Sequence, residues 1–449
     1  MYDLAIIGAG PGGYEAAAYA AKLGKSVVLF EKAEVGGTCL NVGCIPTKTL
    51  LRSAKSLAEC KHAAKYGVTV AEPTLDMKAV QARKQEVIAM LVKGVRGMLK
   101  KAKVEMVFAE AKIAGRGKVV ADGTEYEATN ILIATGSVPA APPIPGLADS
   151  AQVLDSTGIL DLDEVPESLV VIGGGVIGLE FACFFAELGV KVDVVEMLDK
   201  IAPIVDGDIA KKLQSELKRK GVTFHLSCRV GKIDGDTVHF TDKKGQDQSL
   251  AATWVLNATG RKLVTDGVGL AEAGVEFDRG GIKTDELGKT NVPGIWACGD
   301  VTGRLLLAHS ATREGIVAVN NMFDQPDRMR FGAVPSVIYT HPEVAQVGAT
   351  EEELKEQGIA YKKAVMPMAI AGRFLVENAG KSGTVKALVS EEFGQVLGVH
   401  MIGGECGEFI ATAAAMVELE LCVEDVRQIV FPHPTVSEAL KETILHISD

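Results

Sequence analysis

Leu4-Ala5-Ile6-Ile7-Gly8-Ala9-Gly10-Pro11-Gly12-Gly13 is an apolar run that ends in glycine, and the alanine-rich stretch Tyr14 to Leu23 follows at once. The apolar residues suit a strand buried on both faces, and the alanines suit a helix. Ser26-Val27-Val28-Leu29-Phe30-Glu31 reads as a second strand, so the chain opens with a βαβ unit. The pattern returns at Leu169-Val170-Val171-Ile172, which leads into Gly173-Gly174-Gly175-Val176-Ile177-Gly178, a helix through Glu187 and the strand Val192 to Glu196. Each copy has Gly-x-Gly-x-x-Gly, and each sets a glutamate 23 positions after its first glycine. The first glycine permits a tight bend, the second lets a pyrophosphate approach the backbone, and the third lets helix and strand pack closely. The helix N-terminus supplies amide donors, and the acid accepts from ribose hydroxyls. One such turn is weak on its own. Two with matched spacing, each between a strand and a helix, predict two nucleotide sites.

The rest of the composition narrows the class. At 449 residues several domains are expected. A formal charge of −11, with no Lys/Arg block to offset it, disfavours nucleic acid and anionic membranes as partners. No apolar run is long enough for a membrane span, and Asp3 stands where a secretory leader wants positive charge, so a cytoplasmic protein is expected. The eight cysteines lack Cys-x-x-Cys spacing, and no metal site is expected.

Pro139 to Pro145 and the stretch around Pro166 look like crossings between the units. Residues 201 to 260 read as short β-rich segments, and a long apolar helix is expected near Glu408 to Leu421. The fold class expected is α/β, with two doubly wound Rossmann-like nucleotide-binding domains and an α+β dimerisation domain. The first nucleotide domain would take residues 1–146 and resume at 266–332. The second would take 147–265, and the interface domain 333–449.

The chemistry is concentrated in Gly36-Gly37-Thr38-Cys39-Leu40-Asn41-Val42-Gly43-Cys44-Ile45-Pro46-Thr47-Lys48. Five residues along a regular helix leave Cα atoms roughly 8 to 9 Å apart, from the rise and turn per residue. A disulfide needs less than about 7 Å, so a bonded Cys39–Cys44 pair requires a distorted backbone, for which Gly43 and Pro46 are suitable. Two buried free thiols are the plain reading of the pair alone. Beside a nucleotide turn, a redox pair is favoured, and a flavin must lie within contact of it. Gly8, Gly10, Gly13 and Glu31 are therefore assigned to FAD. Gly173, Gly175, Val176, Ile177, Gly178 and Glu196 go to the nicotinamide cofactor. The Glu196 carboxylate repels a 2′-phosphate, and Met197-Leu198-Asp199 offer no Arg clamp, so NAD is preferred to NADP; Lys200 could spoil that choice.

The stretch Gly36 to Lys48 resembles the redox segment of the pyridine nucleotide–disulfide oxidoreductases, and is closest to their dihydrolipoyl-oxidising branch. Ala134-Thr135-Gly136-Ser137, Asn257-Ala258-Thr259-Gly260-Arg261, Gly299-Asp300, Leu307-Ala308-His309, Tyr339-Thr340-His341-Pro342-Glu343 and His433-Pro434-Thr435-Val436-Ser437-Glu438 fall in family order. The resemblance implies that Cys39 exchanges with substrate and Cys44 contacts the flavin. It implies Lys48 near the ring, paired with Glu180, and Asp300 on the ribityl hydroxyls. Leu306, Leu307, Ala308 and His309 would line the flavin. Lys32, Thr38, Ala111, Thr135, Gly136 and Ser137 would complete the FAD site, although the family commonly has Gly where Ala111 stands. Val230 and Gly260 would line the NAD site.

Thiolate, not thiol, attacks a disulfide, so a base is needed. His433 is the candidate, with Glu438 orienting its imidazole. A histidine beside proline is ordinarily a surface or core residue, and in this family it serves Cys39 only from a partner subunit. A homodimer is therefore expected. The implied reaction oxidises a dihydrolipoyl dithiol on a lipoyl-bearing protein of a multienzyme complex and reduces NAD⁺ through FAD. Phe431 stands where that branch often has a second histidine. The rivals are a glutathione- or mercuric-type reductase, lacking here the basic clamp and the C-terminal cysteine pair, and a non-catalytic FAD-carrying subunit.

Overall fold

The computed structural model describes residues 1–380 and 382–447. Two compact units are assembled from separate stretches of chain. Met1–Thr49, Gln81–Ala140 and Gly260–Met329 form the first; Leu50–Val80, Ala141–Thr259 and the chain from Arg330 onward form the second.

The first unit is built on a parallel sheet. Its strands run in the order Glu105–Val107, Val27–Phe30, Tyr2–Ile7, Thr124–Ile133, and Ile295–Ala297 pairs on the far side of Thr124–Ile133. The opening strand is thus central, which explains its uninterrupted apolar sequence. Leu4, Ile6, Leu29 and Leu132 pack on one face with Ala16, Ala17 and Ala20 of the helix Pro11–Lys22. Ala5, Ile7, Val28, Phe30 and Ile131 pack on the other, as the period-two alternation of a strand dictates. Thr124–Ile133 changes partners along its length. Residues 128–133 run parallel to the opening strand, and residues 124–127 pair antiparallel with Lys118–Ala121.

The second unit repeats the plan. A parallel sheet runs Thr223–Leu226, Lys191–Glu196, Ser168–Ile172, Trp254–Asn257, Val153–Leu154, and Val176–Glu187 is its helix after the glycine turn. Residues 201 to 260 are not only β-rich. They begin with the helix Gly207–Arg219, capped by Asp206, whose carboxylate accepts from Asp208 N at 3.1 Å. Ile209, Ala210, Leu213 and Leu217 form its buried stripe, and the five Lys, Arg and Glu residues from Lys211 to Arg219 cover the rest and mask the periodicity. The C-terminal segment is a five-stranded antiparallel sheet, ordered Ser336–Ile338, Val344–Gly348, Val396–Ile402, Thr384–Ser390, Tyr361–Pro367. Val385, Ala387, Val399 and Met401 pack there against the helices Cys406–Glu418 and Glu438–Leu445 through Ile410, Ala413, Leu440 and Ile444.

One ion cluster fastens that sheet to the helix Gly207–Arg219. Lys386 is 1 % exposed, and its ammonium lies 2.9 Å from Asp206, itself wholly buried, 2.9 Å from Asp208 and 2.6 Å from Glu351. Burial works against the charges of Asp206 and Glu351, but hydrogen bonds from lysines outweigh it and hold both carboxyls below their usual range. Removing the lysine leaves wholly buried Asp206 without its cation, while Glu351 keeps Lys355 and Lys363, and breaking a buried pair costs about 3–5 kcal/mol. Lys386→Met is therefore expected to lower the urea midpoint sharply at neutral pH. Because the folded carboxyls titrate low, their contribution is complete above the unfolded carboxylate range of about pH 4 and is lost as pH falls through the depressed values. The gap between wild type and variant should narrow in acid; a gap that stays constant with pH refutes this account.

Candidate redox and nucleotide sites

In the first unit, a Cβ added at Gly13 would stand 1.8 Å from Gly8 O, and one at Gly8, whose φ is +103°, would stand 2.4 Å from Ala134 O. In the second unit the corresponding distances are 2.1 Å for Gly178 against Gly173 O and 2.4 Å for Gly173, φ +109°, against Ala258 O. The first and third glycines are thus required by contact with backbone. The middle glycines do something different. A Cβ at Gly10 would meet only Gly37 Cα at 4.0 Å, and one at Gly175 nothing within 4 Å. Gly10 and Gly175 are the caps of the two helices, neither of which has a side-chain cap. Open space against an uncapped helix N-terminus suits an anionic group.

The two glutamates are held alike. Glu31 accepts from Ala9 N at 2.8 Å through one oxygen and from Ala33 N at 2.9 Å through the other. Glu196 accepts from Gly174 N at 2.5 Å and Leu198 N at 2.7 Å. Each carboxylate is fixed by the turn and by the loop beyond it, with lone pairs left for hydroxyl donors. Met197 and Leu198 are exposed, and Lys200 directs its ammonium to Val205 O at 3.5 Å. Lys32 is exposed and 3.5 Å from Glu110, and Ala111 is buried at the start of the strand Ala111–Gly115. Val230 packs against the second unit's core at the strand Arg229–Asp234.

The cysteines lie on two helices, not one. Gly37–Val42 ends at Gly43, whose φ of −144° and ψ of −105° are far from helical, and Cys44–Lys61 begins at the next residue. Pro46 falls in the first turn of that second helix, where its missing N–H costs nothing. A Cβ at Gly43 would press to 2.9 Å from Thr38 O, so glycine permits the fold-back of the break onto Thr38. Thr47 then ties down the Gly43 carbonyl through its hydroxyl at 2.6 Å and its N–H at 3.1 Å. The result sets the Cys39 and Cys44 side chains within interaction range of each other. That contact, then burial, then the charge of Cys44 push the Cys39 thiol well above its ordinary range, opposed by the charge of Lys48. The pair can lose one proton, but a second would set two negative charges in contact. Tyr14, which the sequence did not single out, faces this pair. Burial first, then the charges of Glu15, Cys39 and Cys44, push its phenol up to about 12; its position directly after Gly13 was the available signal.

The Gly299-Asp300 motif forms a 3₁₀ turn, with Gly299 at φ +74°. Gly299 N donates to the buried carboxyl of Glu314 at 2.8 Å, and Ser310 Oγ donates to its other oxygen at 2.7 Å. Ser137 Oγ lies 2.5 Å from Asp300 Oδ2, and Thr135 Oγ1 donates to Val264 O at 2.7 Å. Both hydroxyls of the Ala134–Ser137 motif are therefore engaged by protein groups, and Gly136 sits at φ +69° between them. Leu306 is exposed, and Leu307 caps the helix Ala308–Met322, which carries His309 on its first turn. Glu180, 3 % exposed, accepts from Tyr339 N at 2.9 Å.

His433 is offered outward. Its side chain is 78 % exposed, yet Nδ1 is 2.9 Å from Glu438 Oε1. The other Glu438 oxygen accepts from Thr435 N at 2.9 Å. The Thr435 amide first, then the imidazole, hold the Glu438 carboxyl below its usual range. A carboxylate only accepts, so Nδ1 carries a proton and Nε2 is the ring nitrogen turned outward.

Comparison with known proteins finds relatives that align over nearly the whole chain. Residues 2–315 match the family model described as pyridine nucleotide-disulphide oxidoreductase, and residues 334–444 match that family's dimerisation domain. Dihydrolipoyl dehydrogenase of Bacillus subtilis is 40 % identical, the alignment covering 98 % of each chain. The mitochondrial dihydrolipoyl dehydrogenase of Pisum sativum is 38 % identical, over 100 % of this chain and 91 % of that one. Among solved structures, LpdA of Mycobacterium tuberculosis superposes with a TM-score of 0.90 at 27 % identity, covering 99 % of both chains. The HOCl-induced flavoprotein disulfide reductase RclA of Escherichia coli does so with a TM-score of 0.87 at 30 % identity and the same coverage. Full-length relatedness together with a sulfur pair set across a helix break means that this chain belongs to the pyridine nucleotide–disulphide oxidoreductase family, whose dimerisation domain forms its C-terminal part.

Proposed function

We propose that the protein oxidises a dihydrolipoyl dithiol carried on a partner protein of a multienzyme complex, reduces NAD⁺, and works in the cytoplasm as a homodimer. The observation that carries this reading is the Cys39–Cys44 contact across the break at Gly43. The full-length relatives named dihydrolipoyl dehydrogenase favour this substrate over the glutathione- and mercuric-type alternatives. Among the described residues no helix is long and apolar enough to cross a membrane.

FAD would lie on the turn Gly8–Gly13 with its ribose at Glu31 and its ribityl chain at Asp300, between Leu306–His309 and the Lys48 side. NAD would lie on the turn Gly173–Gly178 with its ribose at Glu196. When bound, FAD supplies the two-electron relay between the thiols and the nicotinamide. The protein's own part is thiol exchange. A substrate thiol gives its proton to His433 Nε2, contributed by the partner subunit. The resulting thiolate attacks Cys39 Sγ, the Cys39–Cys44 bond breaks, and Cys44 leaves as thiolate. The second substrate thiol then displaces Cys39, so substrate leaves as a disulfide and the two electrons rest on the cysteine pair. Glu438 holds the imidazole with Nε2 outward and stabilises its protonated form. The Cys44 contact and burial hold the Cys39 thiol protonated.

Steady-state assays should show turnover with dihydrolipoamide and NAD⁺ and little with NADPH and glutathione disulfide; the reverse preference overturns the substrate assignment. His433→Gln should keep bound flavin but lose about a hundredfold or more in kcat, together with the acid limb of the pH–rate profile that reports the base. A variant with wild-type rate and profile removes His433 from the mechanism. Glu196→Gln relieves repulsion of a 2′-phosphate and should narrow the preference for NAD over NADP by about tenfold in kcat/KM. An unchanged ratio places cofactor selection elsewhere.

A further inference from the structure

Arg261 closes the motif Asn257-Ala258-Thr259-Gly260-Arg261, and neither phosphate binding nor thiol exchange uses it. It opens the strand Arg261–Leu263, which pairs antiparallel with Ser137–Pro139 so that Leu263 faces Ser137 in register. Its side chain is 13 % exposed and grips Ser137 twice: Nε donates to Ser137 Oγ at 2.6 Å, and a terminal nitrogen donates to Ser137 O at 2.7 Å. Such a planar fork holds its target in one orientation. With Oγ accepting from Nε, the single hydroxyl proton has one direction, toward Asp300 Oδ2 at 2.5 Å. Nε itself stands 3.8 Å from that carboxylate oxygen, so the guanidinium also balances the charge. Asp300 Oδ1 accepts no hydrogen bond from the described residues.

We infer that Arg261 is a positioning residue for Asp300: acting through Ser137, it fixes the carboxylate so that Oδ1 faces a hydroxyl of the flavin nucleotide, and it offsets the negative charge that Asp300 brings to the flavin. This rests on the reading that FAD occupies the Gly8–Gly13 turn with Asp300 on its ribityl chain. Ser137 is thereby a relay inside the protein. The arginine acts at a distance from the ring, through one hydroxyl. Loss of a charge-assisted hydrogen bond weakens what it positions by roughly tenfold or more.

The test compares FAD release on dilution and the midpoint potential of the bound flavin in holoenzymes of wild type, Arg261→Met, Arg261→Lys, Ser137→Ala and the Ser137→Ala/Arg261→Met double variant. Arg261→Met should release FAD about tenfold faster and have a lower potential, since Asp300 loses its compensating cation. Arg261→Lys keeps the charge without the fork, so its potential should return toward wild type while release stays fast. Ser137→Ala should release FAD as fast as Arg261→Met but keep a potential near wild type because the guanidinium remains, and release in the double variant should be no faster than in the worse single one, because both cut the same relay. Wild-type release and potential in Arg261→Met, or additive effects on release in the double variant, overturn the inference. If Arg261→Met does not fold, wild-type release in Ser137→Ala overturns it alone. A wild-type protein that purifies without flavin absorbance instead sinks the underlying reading of the FAD site.

Discussion

Two sulfur atoms can touch five residues apart only because the chain stops being helical between them. Gly43 takes a backbone conformation that breaks the rod into Gly37–Val42 and Cys44–Lys61, and Thr47 pins the carbonyl at the break. The surroundings keep this fold-back in place. Glu34 takes a two-pronged ion pair from Arg96, at 3.0 and 2.6 Å, just before the glycines that open the first short helix. Asn41 bonds both Val35 O and Gly37 O, at 3.0 and 2.9 Å, and so closes the loop over the nucleotide turn. Reversible disulfide chemistry needs sulfurs that stay together in both oxidation states, and this scaffold supplies that before any substrate arrives.

Much of this was legible from the chain itself. Strands buried on both faces write themselves as unbroken apolar runs, which is why Leu4 to Ile7 and Leu169 to Ile172 could be placed from sequence. Glycines whose Cβ would strike backbone carbonyls cannot be replaced, and Gly8, Gly13, Gly173 and Gly178 are of that kind. A break between the cysteines was required by helix geometry only if the two bond, and Gly43 was the residue expected to supply it. What stayed hidden has a common cause: it depends on side chains that meet only after folding. Lys386 reads as an ordinary polar residue in a strand, yet it is buried among acids that precede it by as much as 180 positions. The helix Gly207–Arg219 was hidden by its charges, and Arg261 by the 124 residues that separate it from Ser137.

The buried polar groups near the Gly299-Asp300 turn show how such hidden contacts are organised. Glu314 satisfies the amide that enters the turn, while Ser137 and Arg261 hold the carboxylate that leaves it. Ser137 is held from both sides, accepting from Arg261 and donating to Asp300. A turn held from both ends keeps its shape when neighbouring charge changes.

The two glycine turns are nearly identical. Their backbone clashes agree to within a few tenths of an ångström, and each glutamate is tied down by the same kind of amide pair. What differs is the strip of chain laid across each turn: Gly36 N donates to Ala9 O in one case and Ala202 N to Gly174 O in the other, each at 2.8 Å.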